Sequence, residues 1–367
     1  MDGMFSGVFT IVAFLTILVL LVLVHELGHF LTARAMDIPV EEFGIGFPPR
    51  AAVLFERGGT KYTLNWLPLG GFVRFAGDSG VYGSGGLAVV APWKKILVLL
   101  AGPLANLVLA ALIFIIIFLV RGVPVVTGVV VNEVYPGTPS AVAGFRTNDI
   151  ITALDGQPIT GADDIRAVAV ARLGEPVVVQ VQRDGAPLEL TVTPGPWSYG
   201  TATSTGGYGF VYRPQTETRP ADVPTAIGTG VSYTGDVLLR FGEGFGQLFG
   251  GLTGANAMPE GGVTGVVGIA RGTGQVFERD GWLGLANWMA IISLNLFLVN
   301  LLPIPALDGS HILFSLIEIV RRGRKIPPER EATVHAFGFI MLMCLMVVIT
   351  VSDVSNWVRG MPALGGG

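Results

Sequence analysis

His25-Glu26-Leu27-Gly28-His29 sets two imidazoles four residues apart with a carboxylate beside the first. On a helix, residues four apart lie about 40° apart in projection, so both rings face one way and can share one Zn²⁺. Glu26 is then a candidate general base for a water activated by the metal. A catalytic zinc takes three protein ligands and keeps one position open. The acids within or beside apolar stretches are Asp2, Asp280, Asp308, Glu318, Glu331 and Asp353. Asp308 stands out, because Pro303 and Pro305 must break the helical pattern just before it and Gly309 follows it. His311 is the rival third ligand, or else a supporting group. His335 reads as a packing or interface histidine. Asn295 and Asn300 are polar within an apolar run, and either bond between helices or hold substrate backbone.

The elements that must position these groups belong to a membrane protein. Of 367 residues, 51% are hydrophobic and only 14% charged, with a mean hydropathy of +0.62. A soluble domain carries roughly 25% charged residues, so this chain lacks the polar surface to dissolve. The 23 basic against 27 acidic residues leave a net charge of -4, which excludes nucleic-acid binding through a basic surface. The single cysteine, Cys344, lies in an apolar run and says nothing of redox compartment.

Four stretches are free of Asp, Glu, Lys and Arg for about the 20 residues a crossing helix needs: 3–24, 96–120, 281–307 and 332–352. The first has no basic residue before it and no small-residue cleavage site after it, so a retained helix is expected rather than a signal peptide. Seven Lys and Arg fall in the 34–95 connection and five in 321–330, against none before the first span and one in the C-terminal tail. By the positive-inside rule both short connections are cytoplasmic, and both termini and the long 121–280 segment lie outside. The third span then enters from the same side as the first. Asp308 arrives one membrane thickness later, at the depth of His25 and His29. Ionisable groups inside a span usually mark a functional site; a solvated position just past the membrane boundary is the plainer alternative.

The connections carry structure of their own. Apolar runs at 129–131, 150–154, 177–181 and 188–192, the turn Asp184-Gly185 and a helix over 162–173 predict a small β-rich domain over 127–194. With Pro136-Gly137-Thr138-Pro139 ahead of 141–144, and Asn148-Asp149-Ile150-Ile151 before Asp155-Gly156, this order resembles a circularly permuted bacterial PDZ domain, a module that takes an extended peptide onto a sheet edge. Residues 194–224, rich in Gly, Ser, Thr and Pro, read as linker. Beyond them, Val223, Ile227, Val231 and later apolar residues predict an irregular amphipathic helix at the membrane surface. In the first connection, 51–55 and 62–66 flank Gly58-Gly59, and Gly70-Gly71-Phe72-Val73 follows, predicting short strands. Non-helical backbone at membrane depth survives only against protein or a water-filled cavity.

Taken together, HELGH at 25–29, Gly-Phe-Pro-Pro at 46–49, Pro-Leu-Gly-Gly-Phe-Val at 68–73, Gly-Pro-Leu-Ala-Asn at 102–106 and NLLPIPALDG at 300–309 resemble the site-2 proteases, the intramembrane zinc metalloproteases, in their bacterial branch with a PDZ domain. The resemblance covers nearly the whole chain. It implies an α-helical membrane protein: 1–126 with spans one and two and a cytoplasmic-side β-element, 127–194 an extracytoplasmic PDZ domain, 195–280 a linker and membrane-surface segment, and 281–367 spans three and four. It also implies zinc held by His25, His29 and Asp308, Glu26 activating water, and a membrane-dipping β-element whose Gly70, Gly71 and Phe72, with Asn300 and Asn295, contact substrate. The implied activity is cleavage of single-pass membrane proteins, such as anti-sigma factors or remnant signal peptides, in or near their transmembrane helix. The implied location is the plasma membrane, with the active site near its cytoplasmic side and a peptide or substrate ectodomain on the PDZ domain. Two departures stand out: one PDZ domain where many relatives carry two, and LDGSH at 307–311 where LDGGH is common. A catalytically silent PDZ scaffold is the alternative. The Glu held between two imidazoles argues against it.

Overall fold

The computed structural model describes residues 2–76, 86–159, 161–200, 202–252, 264–324 and 326–360. In chain order the elements are α1 (Asp2–Ala35), β1 (Val40–Arg57), β2 (Thr60–Phe75), α2 (Pro92–Arg121), β3 (Val123–Val134), α3 (Pro139–Val142), β4 (Ile150–Leu154), β5 (Gln157–Pro158), α4 (Ala162–Ala171), β6 (Val177–Arg183), β7 (Ala186–Val192), β8 (Gly195–Tyr199), β9 (Ala202–Gly207), β10 (Phe210–Arg219), α5 (Val223–Leu252), α6 (Val266–Leu301), α7 (Asp308–Val320) and α8 (Pro328–Val358). They form two units, 1–117 with 227–367, and 118–226.

In the first unit, parts of α1, α2, α6 and α8 are long and apolar enough to cross a membrane. α1 runs eleven residues past the expected span end at 24, so the whole HELGH run is helical. α1 and α2 approach closely at Gly28, where a Cβ would stand 2.3 Å from Ala101 O. Without a hydrophobic effect between helices in lipid, such small-residue contacts carry the packing. α5 is more regular than the interrupted helix expected. It is a continuous helix, and Val223, Ile227 and Val231 are exposed, whereas Ala226 and Thr234 are buried. Between them Gly230 packs on α2, where a Cβ would meet Ile115 at 2.5 Å.

α6 is not one straight rod, and it begins 15 residues before the expected start at 281. Gly281 has φ 62° and ψ −147° inside it. Trp288 Nε1 donates to Thr273 Oγ1 at 3.1 Å, although 15 residues of unbroken helix would separate them by about 22 Å. The element is therefore two arms folded back on each other at Gly281. The charged residues Arg279 and Asp280 sit at the bend, where only the composition of the second arm reads as a span. Asp353 of α8 accepts the Gly265 and Gly268 amides at 3.0 and 2.8 Å, satisfying the free N–H groups of the first arm.

β1 and β2 extend the expected short strands into a bent hairpin turning at Gly58-Gly59. Glu42 faces both Arg74 and Lys61, and Ile45 both Gly71 and Leu64, so β2 flanks the first part of β1 on two sides. The buried Glu42 pins this bend: Arg50 donates at 2.7 Å, Thr63 Oγ1 at 2.7 Å, and Arg74 also bonds it. Burial disfavours the charged carboxylate, but the Thr63 hydroxyl and the two guanidiniums outweigh it and hold the Glu42 pKa below its ordinary value.

The second unit is a sheet of order β10-β3-β4-β6-β7, with β5 paired to β4. Its core gathers Val129, Val131, Ile151, Ile165, Val177, Val179 and Val181. The expected turn is present, with Asp184 and Gly185 at φ 50° and 81° and Arg183 paired with Ala186. The expected linker over 194–224 is corrected. β8 and β9 form a hairpin, and β10 pairs with β3 from Phe210–Val134 to Arg219–Val123. β10 is an edge strand with mostly exposed polar residues and Pro214 in its middle, a pattern edges tolerate and composition mistakes for linker.

Candidate metal centre

The end of α1, the start of α7 and the middle of α2 meet at one point of the first unit. His25 and His29, both buried, aim their Nε2 atoms at each other across 3.1 Å. Asp308 Oδ2 lies 3.0 Å from His25 Nε2 and 3.4 Å from His29 Nε2. Zinc bonds of 2.0–2.1 Å at tetrahedral angles require donors about 3.3 Å apart. Two imidazole nitrogens and one carboxylate oxygen at this spacing fit a zinc ion, and leave its fourth position free.

The surrounding groups set the tautomers that such a role needs. Val98 O accepts from His29 Nδ1 at 2.7 Å, so the lone pair of that ring is on Nε2. The Asn106 amide lies 3.3 Å from His25 Nδ1 through Nδ2, while its buried Oδ1 has no partner. Amide orientation is assigned from the bonding network. Turning it over lets Oδ1 accept the Nδ1 proton and so frees the His25 Nε2 lone pair. Ser293 Oγ of α6 donates to the Asn106 main-chain carbonyl at 2.8 Å. Gly102 is required by space: a Cβ there would stand 2.3 Å from His29 Nε2 and 2.9 Å from His25 Nε2. Gly102 and Asn106 belong to the quoted run at 102–106, but no role could be read for them without the packing of α2. A lone Asn in an apolar span was the available signal.

Asp308 is the first residue of α7, with Leu307 at the N-cap and no side-chain capping bond. Prolines 303 and 305 end α6, and Ala306 turns the chain at φ 76°, so the carboxylate swings back toward α1. Glu26 lines a cavity with His25, Asp308, Asn106, Asn300 and Gly71. A Cβ on Gly71 would reach Glu26 Cγ at 3.4 Å and Gly44 O at 2.9 Å, which leaves the β2 backbone close to the carboxylate. Gly70 is buried beside the Phe47 ring and the Val22 side chain, and the Phe72 ring covers Gly44. Asn295 does not line the cavity and is exposed. It is five residues from Asn300, about 140° around a helix, so the two cannot share a face. His311 does not join His25 and His29: its Nδ1 bonds Glu331 at 3.3 Å and its ring stacks on His335 at 3.9 Å.

Residues 13–345 match the model of peptidase family M50. The zinc metalloprotease RasP of Geobacillus kaustophilus is 31% identical, over 95% of this chain and 98% of its own length. RasP of Oceanobacillus iheyensis is 28% identical, over 95% and 99%. A crystal structure of a PDZ domain from Listeria monocytogenes aligns at 20% identity with 23% of this chain and 87% of its own, but its TM-score of 0.20 carries no weight.

Proposed function

Because the chain belongs to peptidase family M50, we propose that it is a zinc endopeptidase that cuts single-pass membrane proteins in or beside their transmembrane helix. The observation that carries this reading is the meeting of His25, His29 and Asp308 donors, 3.0 to 3.4 Å apart, at the end of an apolar helix long enough to cross a membrane. His25, His29 and Asp308 would hold the zinc, which would supply Lewis acidity toward a water and the scissile carbonyl. Glu26 takes the proton of the attacking water and hands it to the leaving amide nitrogen. A helical substrate hides its carbonyls in its own hydrogen bonds and must unwind first. The β2 backbone at Gly70, Gly71 and Phe72 pairs with the unwound stretch and offsets the lost bonds, with Asn300 holding substrate backbone from α6.

This protein is read as a multi-pass plasma-membrane protein with termini and second unit outside and the zinc site near the cytoplasmic side, supported by the basic residues of the two short connections. The second unit is read as a PDZ domain, supported by its element order and by β10, an edge strand onto which a peptide or substrate ectodomain can add. In cells lacking Cys344, a cysteine at the exposed Val142 should label from outside and one at Arg324 should not. The reverse pattern would invert the orientation.

The activity is tested in proteoliposomes holding a tagged single-pass substrate. Fragments should map to its membrane segment, increase when helix-weakening residues are introduced there, vanish with a zinc chelator and return with added zinc. Cleavage confined to a soluble region, or insensitive to chelation, would refute the proposal.

A further inference from the structure

A second trio of metal-capable side chains, His311, Glu331 and His335, gathers beside the turn that presents Asp308. Its composition would suit another zinc, but one hydrogen bond decides otherwise. The Ala306 amide donates to His335 Nδ1 at 3.0 Å. A backbone N–H can only donate, so Nδ1 carries the lone pair and, in the neutral ring, the proton is on Nε2. Nε2 is therefore a donor facing the Glu331 carboxylate at 3.9 Å, and is not a free ligand. Glu331 Oε1 already takes His311 Nδ1 at 3.3 Å and has Lys95 Nζ at 3.9 Å. A metal would compete there with a resident cation.

We propose that His335 is a positioning residue that holds Asp308 in the zinc site by gripping the turn in front of it. The inference rests on the reading of Asp308 as a zinc ligand. Ala306 sits at φ 76°, a region that residues with a Cβ rarely adopt, two positions before Asp308. α8 grips this turn twice. His335 takes the Ala306 amide, and Gly338 packs on Pro305 so closely that a Cβ would stand 2.1 Å from Pro305 Cβ. Residues three apart share a helix face, so both contacts come from one side of α8. Ser310 Oγ is 3.5 Å from His335 Nδ1 but gives its proton to Leu307 O at 2.7 Å, leaving the ring nitrogen to Ala306. Without Nδ1, the Ala306 amide loses its acceptor and the turn is free to relax, which carries the Asp308 carboxylate off its place. Glu331, which Lys95 of α2 and His311 of α7 share, stands 3.9 Å from His335 Nε2, too far to bond it, so the Ala306 amide is the ring's hydrogen-bond partner.

The test compares His335→Leu, His335→Gln and His335→Asn in the full-length purified protein. Asn sets an oxygen near the Nδ1 position, Gln sets one near Nε2, and Leu sets none. Zinc affinity, measured by competition with a chromophoric chelator, should fall about tenfold or more in the Leu and Gln variants, the range outer partners of metal ligands command, and stay within about threefold in Asn. Deuterium exchange at the Ala306 amide, followed without metal, should accelerate in Leu and Gln but not in Asn. If Leu does not fold, the Gln and Asn pair makes the same comparison. Asp308→Ala is measured beside them. Wild-type affinity in His335→Leu or His335→Gln while Asp308→Ala loses zinc, or an unchanged Ala306 exchange rate, overturns the positioning role alone. Undiminished zinc in Asp308→Ala overturns the zinc-site reading and this inference with it.

Discussion

Glu26→Gln should lower turnover by about a hundredfold to ten-thousandfold, the span a positioned general base contributes, while the protein keeps its zinc. The substitution preserves shape and polarity at a position lining the cavity beside His25 and Asp308 and touches none of the three donors. It removes only the group that can accept a proton from water. Substrate should still bind, so the fall appears in kcat and in kcat/KM alike. Trapping of an uncut, tagged substrate by the variant, with zinc measured on the same preparation, separates lost chemistry from lost metal. Full turnover by a zinc-loaded variant would remove Glu26 from the mechanism.

Asp308→Ala should strip zinc from the purified protein and stop cleavage altogether. The carboxylate completes a donor triangle with sides of 3.0, 3.1 and 3.4 Å, and two imidazoles alone leave that triangle open. A helix-capping role would predict something milder. Its position in the first turn of α7 is worth about 0.3–1 kcal/mol through the helix dipole, and no side-chain cap bond is made. Asp308→Ser, which keeps a small polar side chain at this position but supplies no carboxylate, should therefore be as metal-poor as Asp308→Ala. His311 cannot take over without leaving Glu331 and the His335 ring. Normal zinc content in either variant would give the third position to another group.

Much of this site could be read from the chain because catalytic chemistry dictates residue types. A zinc site needs imidazoles at one helical interval, a nearby base and a further ligand, and few residues of an apolar chain qualify. The spans were legible for a similar reason, since bilayer thickness sets their length. What escaped was decided by packing. α5 turns Ala226, Gly230 and Thr234 inward, because lipid accepts Val223, Ile227 and Val231 as readily as protein does. The fold-back of α6 shows in the sequence only as the charges at 278–280 that start the third span at 281, and nothing there says that a helix precedes them. β10 hides in polar composition because an edge strand has one neighbour and little core to face. Glu42, with Arg50, Arg74 and Thr63, becomes a unit only once β1 and β2 bend around it. Asn106 and His335 act through a ring nitrogen and a backbone amide, partners that sequence spacing cannot supply.

The wide sequence gap between His25 and Asp308, 283 residues, has a consequence in time. A ribosome adding about 5–20 residues per second needs roughly 15 seconds to a minute to span it. Through that interval α1 already carries both imidazoles and Glu26, while the third donor has not been made. Residues 118–226, a compact unit of their own, emerge and fold in between. With Asp308 as the proposed third ligand, a nascent chain therefore has no complete zinc site until the turn before α7 is made and closes on α1.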